Sequence, residues 1–221
     1  MRAKNGFPEK NALVSEGAEA RIERVWFDGQ WSIKKTRFAK TYRHAELDQS
    51  IRTKRFQAEI RQLNRARAAG VRVPAILATD ATNTSIVLER VKGKVLSRAL
   101  DQPKTKKFPA ELAQAIAVLH GQGIVHGDLT TSNVLSSPKG LVILDFGLSF
   151  FSHRIEDFAT DLLNLKKTLF AHEKSARWFW PAFLKSYARA FERGNAVVRA
   201  VEKGDARGRY KSKSLGRSGV L

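Results

Sequence analysis

The sequence predicts an α+β chain of two lobes, strand-rich first and helical second, and three observations predict it. Short apolar runs at Leu13-Val14, Ala20 to Phe27, Trp31 to Lys35, Val73 to Ala78 and Ser85 to Glu89 crowd the first 91 residues around a single long helical pattern. From Pro109 onward, apolar stripes at helical spacing take over. Between these halves lies Ile124-Val125-His126-Gly127-Asp128-Leu129-Thr130-Thr131-Ser132-Asn133-Val134-Leu135. Twelve residues after Asn133 comes Asp145-Phe146-Gly147, behind the apolar run Leu141 to Leu144.

His-x-Asp, an Asn five residues beyond that Asp, then Asp-Phe-Gly resembles the catalytic centre of the protein-kinase superfamily. The expected fold is therefore a minimal, two-lobed, protein-kinase-like one. Phosphoryl transfer needs metal ions, a positioned nucleophile and charge neutralisation more than covalent help. Asp128 would accept the proton of an attacking hydroxyl or orient an attacking water, with His126 supporting the loop. Asn133 and Asp145 would hold Mg²⁺, a hard ion that takes oxygen ligands. Val134-Leu135 and Leu141 to Leu144 read as two buried strands joined by the polar turn Ser136 to Gly140, a hairpin that sets Asn133 and Asp145 at neighbouring strand ends. A surface loop holding an Asp and an Asn by chance would explain either half, but not both in order with strands between.

The N-terminal elements follow in turn. Residues 1–11 are polar and expected to fray. Asp28-Gly29 signals a tight hairpin between the second and third strands. Gly17-Ala18 sits where a phosphate-covering loop belongs. Its small residues would let backbone N–H groups approach ATP phosphates, although the segment alone reads equally as an ordinary turn. On the third strand, alternation places Trp31, Ile33 and Lys35 on one face and Ser32 and Lys34 on the other. The apolar face should meet the cleft, which selects Lys35 for the phosphates. A helix is expected from about Asp48 to Ala69, with Ile51, Phe56, Ile60 and Leu63 on its apolar side and Gly70 at its end. Glu59, the only acid in its later half, is the candidate partner of Lys35; local pairing with arginines is the rival. Leu88 to Val91 reads as the hinge, where Glu89 and Val91 would hydrogen-bond adenine.

Gly93 opens the second lobe. Pro109 to His120 forms a helix with Leu112, Ile116 and Leu119 on one face, Pro109 in its first turn and Gly121 at its end. Glu156 to Phe170 forms another, and Asp161 early in it would hydrogen-bond the catalytic loop from below. Asp161 follows Gly147 by only 14 positions, and no Ala-Pro-Glu signal appears between them. Gly127 replaces the arginine that would bind a phosphorylated loop, and Thr130 a phosphate-contacting lysine, so activation by loop phosphorylation is not expected. Trp178, Phe179, Trp180, Phe183, Tyr187 and Phe191 read as core of a helical segment, rather than as rings for base stacking. The expected divisions are 1–91, 92–204, and a mobile basic tail over 205–221 carrying Arg207, Arg209 and Lys211.

The net charge is +19, from 40 basic and 21 acidic residues, and favours anionic partners. It is clustered: Lys34 to Arg67 holds 11 basic and 3 acidic residues, and the stretch from Val201 holds 6 against 2. Proximity to nucleic acid is favoured over a merely solvated face. The absence of cysteine excludes disulfides and thiolate metal sites within the sequence. No apolar run approaches a membrane span, and Met1 to Gly6 has no apolar signal core. A cytoplasmic location is expected, with the nucleus open for a eukaryotic source.

In detail the chain resembles the small atypical kinase of the KEOPS (EKC) complex, from about Val14 to Gly216. The resemblance rests on Gly17-Ala18-Glu19-Ala20, the stretch Arg37 to Asp48 with its Tyr42-Arg43-His44, His126 to Asn133, Asp145 to Ser149, Glu156-Asp157 and Arg207-Gly208-Arg209. The family's lysine lies one residue before its arginine–phenylalanine region, which selects Lys35 independently. Ala39, Ala45 and Phe56 depart from the family pattern, as do Tyr210 and Lys213 in the tail. The resemblance implies Mg²⁺-ATP use, and Ser/Thr phosphorylation or ATP hydrolysis, in support of threonylcarbamoyl-adenosine modification of tRNA. It implies a large catalytic subunit at the C-lobe, a small subunit at the N-lobe, and tRNA as partners. A RIO-type kinase is the alternative of the same fold, disfavoured by Tyr42-Arg43-His44. A non-catalytic pseudokinase scaffold is the alternative of another class, disfavoured by Lys35, Asp128, Asn133 and Asp145 occurring together.

Overall fold

The computed structural model describes residues 12–17, 20–40, 42, 44–100 and 103–215. Strands β1 (Ala12–Glu16), β2 (Ala20–Phe27) and β3 (Gln30–Arg37) precede α1 (Ala45–Ala68), and β4 (Ile76–Asp80) and β5 (Ser85–Glu89) follow it. The five strands form one antiparallel sheet in the order β1-β2-β3-β5-β4. Asp28 and Gly29 turn the β2–β3 hairpin at φ of 46° and 75°, the pair of positive angles that matches the twist of the flanking strands. Lys35 lies opposite Ile22 on one side and Ile86 on the other, so its strand is central and its backbone fixed.

Helix α1 ends in two reverse bonds, Val71 N–H to Ala66 and Gly70 N–H to Arg67, with Gly70 at φ 84°. That left-handed residue lets the last carbonyls find donors. Phe56, Glu59, Leu63 and Ala66 form the buried side of the helix. The strand expected from Val73 begins only at Ile76. Pro74 has no N–H for a ladder, and Val73 is buried in the main core instead.

The helical half contains β6 (Lys94–Val95), α2 (Leu96–Ala99), a 3₁₀ turn (Pro103–Lys107), α3 (Phe108–Gly121), β7 (Ile124–Val125), β8 (Val134–Ser137), β9 (Gly140–Ile143), β10 (Phe150–Phe151), α4 (Ile155–Leu169), α5 (Glu173–Ala190) and α6 (Gly194–Leu215). Small sheets β6-β8-β9 and β10-β7 frame the central loop. Phe179, Phe183 and Tyr187 stack along α5 and are fully buried, whereas Trp178 is exposed. One core joins both halves: Leu63, Ala66, Val71 and Val73 belong with Ile116, Phe146, Phe158, Leu162 and Phe183. Among the described residues no helix is long and apolar enough to cross a membrane.

The mobile tail expected over 205–221 is corrected in part, because α6 continues through Gly204 to Leu215. Gly204 does not end the helix. A Cβ there would stand 2.8 Å from Leu163 Cδ1, so the glycine lets α6 approach α4 closely. Val197 and Val201 are buried on the same helix, and Asp205 pairs with Lys166 of α4. The side chains of Arg207, Arg209 and Lys211 lie outside the described residues.

Candidate active site

A cleft of about 700 Å³ opens between the five-stranded sheet and the helical half. Ile22, Ile33, Leu88, Val95, Leu135 and Leu144 give it apolar walls, while Lys35, Glu59, Asn133 and Asp145 converge at one end. Apolar walls with a few placed polar groups are the usual make-up of a ligand site. Glu89 and Val91 line the same cleft. The backbone N–H of Glu89 already donates to Ala75 at 2.8 Å, so it is not a donor for a base. Gly17 and Asp128 line an adjoining cavity of about 270 Å³ with Lys35, Arg37, Asp145 and Gly147. Gly17 closes a turn through its N–H to Ala20 at 3.0 Å. Ala18 lies outside the described residues.

Strand alternation brings Lys35 into this space, 7% exposed. Its Nζ donates to Glu59 Oε1 at 2.7 Å and to Asp145 Oδ1 at 2.5 Å. Burial raises the Asp145 pKa. The charge and hydrogen bond of Lys35, the Gly147 N–H at 3.0 Å and the charge of Arg37 more than offset this, leaving the carboxyl below the ordinary range. Asp145 is thus charged at neutral pH. It sits at φ 56°, a left-handed conformation that an aspartate tolerates better than most residues.

The β8–β9 pairing sets Val134 opposite Ile143, and Leu144 N–H donates to Asn133 O at 2.8 Å, which holds the two candidate metal residues side by side. Asn133 Nδ2 donates both to Asp128 O and to Asp128 Oδ2, each at 2.9 Å. Both amide hydrogens therefore point to Asp128, and Oδ1 is the atom left to act as a ligand. His126 Nε2 donates to Leu144 O at 2.8 Å, and its Nδ1 accepts from Asp128 N–H at 3.3 Å. One nitrogen donates and the other accepts, which fixes the orientation and tautomer of the ring. Beneath the loop, buried Asp161 accepts from His126 N–H at 2.6 Å and Gly127 N–H at 2.8 Å. Gly127 has φ 79°, and a Cβ there would collide with the Leu148 carbonyl. Any side chain would displace the loop.

The residues present suit a hard divalent ion: the Asp145 carboxylate and Asn133 Oδ1, beside Asp128, are oxygen donors. Among the described residues no group of three His, Cys, Asp or Glu could hold a metal by itself, so phosphate or water oxygens would complete the shell.

Two features escaped the sequence reading. Arg37 is buried against Glu59, its Nη2 2.6 Å from Oε2. The signal was available, since residue 37 shares the strand face of residue 35. The second feature is the pair His120 and Tyr187 behind Asp161. His120 Nδ1 lies 2.6 Å from the Tyr187 hydroxyl, and its Nε2 3.4 Å from Asp161 Oδ2. Burial lowers the His120 pKa against the opposing influence of Asp161; burial and the Asp161 charge both raise that of Tyr187. The histidine is neutral: its Nδ1 accepts a hydrogen bond from the Tyr187 hydroxyl, and its Nε2 donates toward Asp161.

The RIO-domain family matches residues 29–169. The "EKC/KEOPS complex subunit bud32" of Dictyostelium discoideum is 34% identical over 214 residues, spanning 92% of this chain and 85% of that protein. A "Probable bifunctional tRNA threonylcarbamoyladenosine biosynthesis protein" of Methanobrevibacter smithii is 34% identical over 200 residues, 90% of this chain but 36% of that one. Among solved structures, the Rio2 kinase-ADP/Mg²⁺-phosphoaspartate complex from Chaetomium thermophilum superposes with a TM-score of 0.60. The match covers 90% of this chain and 72% of that one at 16% identity, and speaks for the fold alone, which is protein-kinase-like.

Proposed function

Because the chain belongs to the RIO-domain proteins and, within them, to the family of the KEOPS subunit Bud32, we propose that it binds Mg²⁺-ATP in the cleft and uses it as an atypical Ser/Thr protein kinase or ATP hydrolase. The observation that carries this reading is the convergence of Lys35, Glu59, Asn133 and Asp145 on one cleft, with Asp128 in the cavity that adjoins it at Lys35 and Asp145. The adenine ring would lie between Ile22, Ile33 and Leu88 of the five-stranded sheet and the paired Val95 and Leu135 of the β6–β8 sheet, against Glu89 and Val91 of the hinge. That hinge separates an N-lobe, 1–91, from a C-lobe, 92–204. Lys35 meets the α- and β-phosphates while Glu59 holds it, and the turn at Gly17 covers them.

Mg²⁺, held by Asn133 and Asp145, would neutralise charge on the phosphates. The attacking hydroxyl or water stands beside Asp128, which the Asn133 amide and the His126 ring hold in place. As the new O–P bond forms and the bond from the γ-phosphate to ADP breaks, the carboxylate of Asp128 takes the proton. Asp161 fixes the loop backbone throughout. Gly127, and a segment of 13 residues between Gly147 and Asp161, leave no phosphate-binding arginine in the catalytic loop and little room to dock a peptide. ATP hydrolysis or a protein acceptor presented within a complex fits this site better than free peptides.

By its family, the chain serves threonylcarbamoyl-adenosine modification of tRNA, with a large catalytic KEOPS subunit on the C-lobe, a small subunit on the N-lobe, and tRNA attracted by the +19 charge. Release of phosphate from Mg²⁺-ATP, measured alone and with the large subunit and tRNA, tests this. Stimulation by both is expected. Absence of turnover in every combination would overturn the enzymatic reading.

A further inference from the structure

Arg37 has no part in that mechanism, yet it lies against its centre. The Arg37 side chain is 5% exposed, and it shares Glu59 with Lys35: Nη2 binds Oε2 at 2.6 Å while Lys35 Nζ binds Oε1 at 2.7 Å. A Cβ on Gly147 would stand 2.5 Å from Arg37 Nη2 and 3.2 Å from Lys35 Nζ, so both cations close on the backbone beside Asp145.

Lys35 therefore holds two carboxylates at once, Glu59 and Asp145. Glu59 is 1% exposed, and an uncompensated charge there is costly. If phosphates draw the ammonium of Lys35 toward themselves, Glu59 needs another cation. Arg37 supplies it, as a planar group that does not lose its proton. The chain also lacks the usual means of holding this helix in place. Gly127 stands where an arginine would read a phosphorylated segment, and that segment is short.

We propose that Arg37 is a positioning residue: it holds Glu59, and with it α1, in the nucleotide-binding arrangement without activation-segment phosphorylation, leaving Lys35 free to engage phosphate. This inference rests on the Mg²⁺-ATP reading of the cleft. Arg37 also lines the cavity beside Gly17 and Asp145, and the proposal assigns its effect to its hold on Glu59.

The test is Mg²⁺-ATP affinity, measured by calorimetric titration of the full chain, for wild type, Arg37→Lys, Arg37→Gln, Glu59→Gln and the double variant. Arg37→Gln should weaken binding roughly tenfold, as expected for directly paired residues. Arg37→Lys should recover most of the loss. In the Glu59→Gln background, Arg37→Gln should have no further effect. The double variant replaces a buried ion pair with two neutral amides, and so keeps the test open if Arg37→Gln alone does not fold. Wild-type affinity in both Arg37 single variants overturns the proposal. So does a further loss of more than about threefold in the Glu59→Gln background, which would mean that Arg37 acts independently of Glu59. Absence of binding by the wild type would overturn the ATP reading and this inference together; wild-type binding with indifferent Arg37 variants overturns the inference alone.

Discussion

Asp161→Asn isolates the support of the catalytic loop from its chemistry. Asp161 is 1% exposed and accepts two backbone N–H groups, at 2.6 Å from His126 and 2.8 Å from Gly127. Hydrogen bonds to a charged acceptor contribute about 1.5–3 kcal/mol each, so the pair is bounded at about 3–6 kcal/mol. Asparagine keeps the shape and one acceptor, but turns an NH₂ toward the other N–H. One bond loses its charge assistance and one buried donor faces a donor, an expected loss of about 2–4 kcal/mol. For a chain of this length that lowers the Tm by roughly 5–15 °C. Urea unfolding followed by tryptophan fluorescence measures the stability, and Mg²⁺-ATP turnover on the folded variant reports the loop. A stability within about 0.5 kcal/mol of wild type, the range of inert surface changes, would refute the reasoning.

Other outcomes follow from the same geometry. Burial holds His120 below the usual histidine pKa of 6.5, so below that pH the unfolded chain binds more protons than the folded one. The contribution of His120 is then complete above pH 6.5 and is lost as pH falls toward the folded-state pKa; His120→Gln should flatten the acid side of the stability–pH profile, measured by urea midpoints. Lys35→Ala should lose far more ATP turnover than Lys34→Ala, because only Lys35 pairs with Glu59 and Asp145; equal losses in a turnover assay would contradict the strand register. Deleting 207–221 should weaken tRNA binding and flatten its salt dependence, since fewer phosphates are neutralised; an unchanged salt slope within the complex would remove this segment as an RNA contact.

What the sequence made legible, and what it did not, divides by the range of the physics involved. Lys35 follows from two-residue alternation, Gly70 from helix termination, and the Asn133–Asp145 juxtaposition from a hairpin only a few residues long. These are local rules. The His120–Tyr187 contact spans 67 positions and depends on how α3 meets α5, which no periodicity encodes. Arg37 was readable by alternation, but a strand arginine in so basic a chain looks like one more solvated charge until Glu59 is seen behind it. The division expected after residue 204 misled for a related reason. A glycine in a polar helical stretch signals a stop, whereas here it admits the Leu163 side chain. The strand expected at Val73 overlooked the proline beside it.

The central claim is that the cleft binds Mg²⁺-ATP through Asp145 and Lys35, and the most direct measurement is the melting temperature of wild type and Asp145→Ala across a titration of ATP with and without Mg²⁺. Ligand at one hundred times its Kd stabilises the folded state by about 2.7 kcal/mol. The wild type should therefore gain several degrees that depend on Mg²⁺, and Asp145→Ala should remain folded and gain none of the Mg²⁺-dependent part. A wild type indifferent to Mg²⁺-ATP, or an Asp145→Ala protein that responds as fully as wild type, would contradict it.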